Sequence, residues 1–286
     1  MGHMQFGAGL PITAMSDVIA LRDFTQALDG AGFDVLSSAG HLLAVPAERY
    51  TDRPPATYTG PFHDPFVAFG YLAAITERIH FRPSILILPL YPTAIVAKQA
   101  AELQHLSNGR FELGIGISWN TAEYQALGQD FGTRGRRLEE QVNVLRQLWS
   151  EPYVTFSGKW HTLEGVGLNR VTPVPIPIWI GGSDDRVLRR AARVGDGFMP
   201  LGDPFTAIPK VQEYLREAGR DDAGFGFTGR VVAGAAHETE WIESARKLQG
   251  IGVTQLNLSA PPDLAGETAL RRLIEARDVL ATALGT

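Results

Sequence analysis

Residues 109–124, GRFELGIGISWNTAEY, decide the fold class of this chain. Residues 111–117 alternate apolar side chains with small or polar ones, a pattern that predicts a buried β-strand. The strand pattern breaks at Ser118, Trp119 and Asn120, and an acidic segment that favours a helix follows at once. A strand that leads directly into a helix is the repeating unit of a parallel sheet, so this stretch predicts an α/β protein.

The same strand-then-helix pattern recurs along the whole chain. The predicted strands are residues 5–10, 33–38, 80–88, 111–117, 178–180, 197–199, 225–233 and 255–258. The predicted helices are residues 17–30, 65–76, 93–106, 134–149, 185–194, 205–218, 238–249 and 267–284. Eight such units in about 250 residues predict a (β/α)8, or TIM, barrel. A doubly wound open sheet would need fewer units and would usually carry a Gly-rich turn after the first strand, where this chain has Leu10-Pro11-Ile12.

Two long segments interrupt the alternation, and both are predicted as insertions, after strands 2 and 4. Residues 40–65 are rich in Pro, Tyr, Thr and Asp and lack periodicity, which predicts a long functional loop. Residues 151–177 contain four prolines and are predicted to be irregular. Residues 4–286 are predicted to form a single domain, and residues 1–3 are interpreted as the remnant of an expression tag.

Composition narrows the range of functions. The net charge of -5 is spread along the chain without a basic stripe, which argues against a nucleic-acid partner. No apolar run reaches membrane-spanning length, so no membrane association is predicted. The absence of cysteine excludes disulfides and thiolate metal sites, and it fits a reducing compartment such as the cytoplasm. The sequence therefore indicates a protein that acts on a small molecule.

The carboxyl ends of the strands in such a barrel form the active face. After the strand at 178–180, a Gly-Gly-Ser sequence leads into a helix that carries Arg186, and this predicts a phosphate-binding loop at a helix N-terminus. The adjacent Asp184 and Asp185 would repel an anion unless they point away. Trp119 and Asn120 also lie at a strand end; alternatively, Trp119 covers the barrel rim and Asn120 caps the next helix.

His41 follows the second strand, at the start of the long loop, and is the candidate proton donor or acceptor. The alternative is that His41 is a structural hydrogen-bonding residue. No Walker A loop, no Gly-x-Ser-x-Gly elbow and no His-Glu-x-x-His motif occurs, and His63-Asp64 is isolated, so no metal site is predicted. Few ionisable groups beside a phosphate loop suit an organic cofactor that supplies the chemistry.

Three blocks of sequence together resemble one family. They are RPSILILPLYPTAIVAKQAAELQHLSNGRFELGIGISWNTAEYQALG, FGTRGRRLEEQVNVLRQLW and PIPIWIGGSDDRVLRRAARVGDGFMP. In content, order and spacing they resemble the bacterial luciferase-like flavin monooxygenase superfamily, and most of all its branch that uses the deazaflavin coenzyme F420. This resemblance covers nearly the whole chain from residue 5. It implies a (β/α)8 barrel that is usually a homodimer, with the cofactor in the barrel mouth.

The resemblance also implies roles for individual residues. His41 matches the active-site histidine of the deazaflavin enzymes. The implied cofactor-binding residues are Ser84 and Ile85, joined by a non-prolyl cis peptide, Ser118 and Asn120, and the phosphate-loop residues Gly181, Gly182, Ser183 and Arg186. Two positions depart from the family pattern. Gly40 replaces an Asp that often precedes the histidine, so no neighbour in sequence orients His41, and Ile117 replaces the luciferase Arg that binds the flavin phosphate.

Three functions are therefore in competition. The first is an F420-dependent oxidoreductase that transfers a hydride to or from a small organic substrate. The second is a monooxygenase that uses flavin mononucleotide (FMN), and the third is a barrel that binds a flavin-type ligand without catalysis. The apolar and aromatic residues of the 40–65 loop suggest a hydrophobic or planar substrate, or alternatively they pack against neighbouring helices or a second subunit.

Overall fold

The chain folds into a closed barrel of eight parallel strands. The computed structural model describes residues 3–11, 16–46, 61–234 and 238–286. Around the barrel the strands follow the order β1 (Gln5–Gly9), β10 (Gln255–Ser259), β9 (Gly226–Val232), β8 (Gly197–Pro200), β7 (Ile178–Gly182), β4 (Leu113–Gly116), β3 (His80–Ile87) and β2 (Val35–Gly40). The predicted (β/α)8 barrel is confirmed. Within the described residues, no helix is long and apolar enough to cross a membrane.

The element boundaries lie close to those predicted. The strands are β1 Gln5–Gly9, β2 Val35–Gly40, β3 His80–Ile87, β4 Leu113–Gly116, β5 Val154–Ser157, β6 Thr162–Val166, β7 Ile178–Gly182, β8 Gly197–Pro200, β9 Gly226–Val232 and β10 Gln255–Ser259. The helices are α1 Val18–Gly30, α2 Pro65–Ala73, α3 Thr93–Leu106, α4 Thr121–Ala126, α5 Arg134–Ser150, α6 Asp185–Val194, α7 Pro204–Glu217, α8 Glu238–Gly250 and α9 Gly266–Leu284. A 3-10 turn, Leu88–Leu90, follows β3.

The second insertion differs from the prediction. Residues 151–177 are not irregular throughout, because β5 and β6 pair as an antiparallel hairpin outside the barrel. The hairpin is held against α5 by Glu140, whose carboxylate accepts hydrogen bonds from the backbone N–H groups of Lys159 and Trp160 and pairs with His161 at 2.8 Å. Such long-range bonds leave no local periodicity in the sequence. In the first insertion, residues 47–60 of the predicted loop lie outside the described residues.

The amino-terminal end of the barrel is filled by a buried ion pair. The Arg82 side chain is fully buried, donates from Nη1 to Glu112 Oε2 at 3.0 Å, and stacks 4.2 Å from the centre of the Trp179 ring. A Cβ atom would lie 2.3 Å from that ring on Gly197 of β8 and 2.1 Å from it on Gly226 of β9, so both positions require glycine. Because these side chains fill one end, a ligand has access at the opposite, carboxyl-terminal mouth.

Candidate cofactor and active site

The side chain of Ile85 forms the floor of the barrel mouth. The expected cis peptide between Ser84 and Ile85 is present. A Cβ atom on Gly116 of β4 would lie 2.6 Å from Ile85 Cδ1, and one on Gly181 of β7 would lie 2.6 Å from Ile85 Cγ2. Both glycines are therefore required, because the Ile85 side chain extends across two neighbouring strands. The result is a smooth apolar floor that fits the flat ring system of a flavin or deazaflavin.

The predicted phosphate loop joins β7 to α6. Gly182 has a φ of +153°, and a Cβ atom there would lie 2.7 Å from Val187 Cγ1 on the following helix. The structure thus requires this glycine for the packing of the loop itself, whether or not a ligand binds. Ser183 and Arg186, the polar residues of the predicted site, are both exposed. Their contact with a cofactor stays a prediction.

The two carboxylates of this loop are directed at donors of the protein. Asp184 caps α6 by accepting a hydrogen bond from Val187 N at 3.0 Å. Asp185 accepts hydrogen bonds from the Tyr214 hydroxyl and from Arg189 Nε, and these bonds, the first most strongly, lower the pKa of the Asp185 carboxyl below its ordinary range. Asp184 thus occupies the N–H group of Val187 at the start of the helix, and the ionised Asp185 lies beside the loop, so an anion there would depend on the Arg186 guanidinium.

A groove of about 300 Å³ opens beside the loop. It runs from the loop to the segment after β8 and the start of α7, and it is lined by Ser183, Asp185, Leu188, Leu201, Gly202, Asp203, Thr206, Ala207 and Lys210. Lys210 adds a cation that suits a phosphate, and Thr206 adds a hydroxyl whose proton is donated to Asp203 Oδ2. Neither residue could be predicted from the sequence, because both lie on the helix of the next βα unit and no local motif marks them.

Asn120 is a helix cap in the structure. It is almost fully buried, and its side-chain oxygen accepts a hydrogen bond from Ala122 N at 3.1 Å at the start of α4. Ser118, which has a φ of +55°, accepts a hydrogen bond on its Oγ from Asn120 N at 3.2 Å. Of the two roles weighed from the sequence, capping is the one that these contacts display, and contact of Ser118 or Asn120 with a cofactor stays a prediction.

His41 is paired with a buried carboxylate that the sequence analysis missed. Its Nδ1 lies 3.1 Å from Glu123 Oε2, and Glu123 Oε1 accepts hydrogen bonds from the backbone N–H groups of Leu42 at 2.8 Å and Leu43 at 3.2 Å. The Glu123 side chain is fully buried, whereas that of His41 remains 19% exposed toward the mouth. Glu123 therefore fixes both the imidazole and the chain that follows it.

The electrostatics of Glu123 determine which ring nitrogen of His41 carries a proton. Burial raises the pKa of the Glu123 carboxyl, but the bonds from His41, Leu42 and Leu43 outweigh burial and hold that pKa below its ordinary value. The carboxylate is thus ionised near neutrality and can only accept hydrogen bonds. It follows that His41 donates from Nδ1, which leaves Nε2 as the nitrogen for proton exchange with a ligand.

Aromatic rings complete the surroundings of this imidazole. The ring centroids of Phe62 and Trp119 lie 5.4 and 6.3 Å from that of His41, and both planes are tilted to it. Trp119, which the sequence placed at a strand end, therefore contributes to the His41 side of the mouth. These rings would limit the access of water to the imidazole and offer apolar surface to an organic ligand.

Steric constraints explain why residue 40, which precedes His41, is a glycine. A Cβ atom on Gly40 would lie 3.0 Å from Ile85 O and 3.1 Å from Pro65 Cγ, so an aspartate does not fit there without a shift of the chain. As expected, no residue adjacent in sequence orients His41; the carboxylate that does so comes from Glu123 on α4, 82 positions further along the chain. A sequence signal for this carboxylate was present in residues 109–124, where Glu123 follows the helix-capping Asn120 by three positions.

The described residues contain no group of three or more His, Asp or Glu side chains that could hold a metal ion. The groups that do converge are the apolar floor at Ile85, the polar loop at Ser183 and Arg186, and the His41–Glu123 pair. They suit an organic cofactor whose ring lies in the mouth and whose phosphate lies at the rim.

Comparison with known proteins agrees with this arrangement. The chain is 34% identical over 219 residues to an uncharacterized protein of Mycobacterium tuberculosis, covering 72% of this chain and 75% of that one. It is 35% identical over 212 residues to an F420-dependent glucose-6-phosphate dehydrogenase of Kineococcus radiotolerans, covering 71% of this chain and 60% of that one. It is 32% identical over 200 residues to an FMNH(2)-dependent dimethylsulfone monooxygenase of Pseudomonas fluorescens, covering 68% of this chain and 51% of that one.

Among solved structures, an F420-dependent secondary alcohol dehydrogenase in complex with an F420-acetone adduct superimposes with a TM-score of 0.80. The match covers 98% of this chain and 99% of that one at 18% sequence identity, so it concerns the fold. The sequence profile of the luciferase-like monooxygenases matches residues 4–280, nearly the entire chain. The chain belongs to the luciferase-like monooxygenase family.

Proposed function

We propose that this protein is an F420-dependent oxidoreductase that transfers a hydride to or from a small organic substrate. The observation that carries the proposal is the His41–Glu123 pair at the barrel mouth. Hydride exchange between a deazaflavin and an alcohol or carbonyl also moves a proton at the substrate oxygen, and a positioned imidazole is suited to that step. The family itself includes both F420-dependent and FMN-dependent members.

In this proposal each group of the site has a separate task. Bound F420 would supply or accept the hydride. Ile85, Gly116 and Gly181 would support the ring, while Ser183 and Arg186 would bind the phosphate with help from Lys210. The side chain of His41 would give a proton to, or take it from, the substrate oxygen through Nε2, and Glu123 would keep the imidazole in the tautomer that makes this possible. Help of this kind accelerates a reaction by ~10²–10⁴-fold.

The second candidate is an FMN-dependent monooxygenase. It is favoured by the FMNH(2)-dependent relative, which is nearly as similar as the F420-dependent one. Against it, residue 117 at the end of β4 is an isoleucine rather than the arginine that holds the flavin phosphate in luciferase, and the Ile117 carbonyl accepts a hydrogen bond from the Tyr124 hydroxyl at 2.6 Å. A barrel that binds a flavin-type ligand without catalysis would have no need of a buried acid aimed at a histidine.

Anaerobic turnover tests the proposal. Protein and oxidised F420 are mixed with a panel of small alcohols, and loss of the deazaflavin absorbance is followed without oxygen. We expect reduction of F420 by at least one alcohol, and little or none with a His41→Asn variant. Turnover that requires oxygen and reduced FMN, with F420 inert, would support the monooxygenase instead.

Three further expectations from the sequence stay predictions. They are the homodimer, the cytoplasmic location, and the boundary between a tag remnant at residues 1–3 and a domain at residues 4–286. The side chains of Val67 and Tyr71 on α2 and of Ile95 on α3 are 73%, 41% and 53% exposed, which makes this side of the barrel the first region to examine for self-association by analytical ultracentrifugation.

A further inference from the structure

Arg230 lies inside the barrel mouth. Successive side chains of β9 point alternately outward and inward. A Cβ atom on Gly229 would lie 2.9 Å from Leu248 Cδ1 of α8, so residue 229 faces the helices, whereas a Cβ atom on Gly226 would overlap the Trp179 ring inside the barrel. Arg230 therefore shares the inward face with Gly226, and it is the third residue from the carboxyl end of β9.

The guanidinium of Arg230 is exposed and donates a hydrogen bond from Nε to Ser259 Oγ of β10 at 3.1 Å. Among the described residues, no carboxylate lies within ion-pair distance of it. Arg82, which also faces the barrel interior, differs in this respect because it is paired with Glu112. An arginine presents several N–H donors, so Nη1 and Nη2 of Arg230 can still receive an anion as a fork.

The position of Arg230 in the barrel separates it from the predicted cofactor contacts. In the closed strand order, β9 is four strands from β3 in either direction, so Arg230 lies across the mouth from the Ile85 floor. It is two strands from the phosphate loop after β7. A ring that rests on Ile85 has its open side toward Arg230, and Val232, 47% exposed and on the same inward face, adds apolar surface there. This is the space left for a substrate.

We propose that Arg230 is a specificity-determining residue that binds a carboxylate or phosphate group of the substrate. Ser259 orients the guanidinium through Nε, and the remaining N–H groups form two parallel bonds to the anion. The assignment to the substrate rests on the proposed function, because the cofactor must occupy the floor and the phosphate loop. The same chemistry could be met by an anionic part of the cofactor tail, and the test separates these two sources.

The test uses a matched pair of probes, para-hydroxymethylbenzoate and para-hydroxymethylbenzamide, which differ in charge and hardly in shape. Dissociation constants are measured by anaerobic calorimetry on the full chain saturated with reduced F420, which cannot accept a hydride from these alcohols. We expect the wild type to bind the carboxylate about tenfold more tightly than the amide, and Arg230→Gln to bind both equally. Arg230→Lys should keep part of the preference, which shows that charge is the cause, and the amide affinity retained by Arg230→Gln shows that this variant is folded.

The affinity for F420, measured by titration, identifies the source of the anion. The affinity of Arg230→Gln for F420 should stay within about twofold of that of the wild type, whereas Arg186→Gln should bind F420 more weakly. The proposal is overturned if the wild type shows no preference for the carboxylate, or if the preference survives in Arg230→Gln. It is also overturned if Arg230→Gln and Arg186→Gln weaken F420 equally, since Arg230 would then bind the cofactor. If F420 binds to no form of the protein, the proposed function fails, and the probe pair on the cofactor-free chain still tests Arg230.

Discussion

Replacing Glu123 by glutamine tests whether the buried carboxylate controls His41. The substitution keeps the shape of the side chain but turns one oxygen into an NH2 group. The oxygen that accepts from Leu42 and Leu43, at 2.8 and 3.2 Å, can be kept, whereas the amide nitrogen would then meet His41 Nδ1 at about the 3.1 Å of the present bond. One charge-assisted hydrogen bond is lost, so we expect Glu123→Gln to reduce the free energy of unfolding by about 1.5–3 kcal/mol.

The same change should alter catalysis through His41 alone. Facing an amide donor, the imidazole would be driven to the tautomer with its proton on Nε2, and turnover should fall by ~10²-fold with the KM for F420 little changed. His41→Asn should produce a loss of similar size. Because both residues serve one step, the double variant should be no slower than His41→Asn, and steady-state kinetics of the four proteins measure this directly.

Acid unfolding provides an independent measurement on the same variant. The folded-state pKa of Glu123 lies below its ordinary value, so its contribution to stability is present above the unfolded pKa of about 4.3 and is lost as the pH falls through the lower folded pKa. Below about pH 4.3 the stability of Glu123→Gln should therefore fall less steeply than that of the wild type. Parallel pH profiles, or losses in turnover that multiply in the double variant, would refute the role assigned to Glu123.

Three other substitutions test particular features of the site. Gly40→Asp should lower the melting temperature and not raise turnover, because its Cβ would lie 3.0 Å from Ile85 O; a stable and faster variant would contradict this. Asn120→Ala should reduce the free energy of unfolding by about 1 kcal/mol in denaturant titrations through loss of the helix cap, and unchanged stability would show that the cap is dispensable. Arg186→Gln should weaken F420 by about tenfold in a binding titration, whereas Arg193→Gln, on the same helix but paired with Glu139, should not; equal effects would remove Arg186 from the site.

The fold was predictable because it repeats. Each strand-and-helix unit has its own apolar pattern, so the barrel followed from periodicity, as the near agreement for β4 and α5 shows. The hairpin β5–β6 was missed for the opposite reason. Its position depends on Glu140, which bonds to residues 159–161 from a helix about twenty positions earlier in the chain, and its own strands are mostly exposed and carry little apolar alternation.

The parts of the candidate site that lie close together in sequence could be predicted, whereas the parts that only the folded barrel brings together could not. The glycine loop was named from a short motif, and the cis peptide at Ser84-Ile85, which the structure contains, was implied by the family resemblance. The partner of His41 was not found, because Glu123 is separated from it by 82 positions and reaches it only once β2 and β4 lie in one barrel. No sequence motif marks Arg230 either, because its role depends on its place on the inward face of β9 and on the lack of a nearby carboxylate within the part of the chain that the structure describes.

The most direct measurement of the central claim is a paired titration of F420 and FMN against one preparation of the protein. The fluorescence of each cofactor is followed to saturation in the same buffer, and Arg186→Gln and Arg193→Gln are titrated alongside. We expect F420 to bind more tightly than FMN, and we expect the affinity for F420 to fall in Arg186→Gln but not in Arg193→Gln. Tighter binding of FMN, or an F420 affinity that neither variant changes, would contradict this claim.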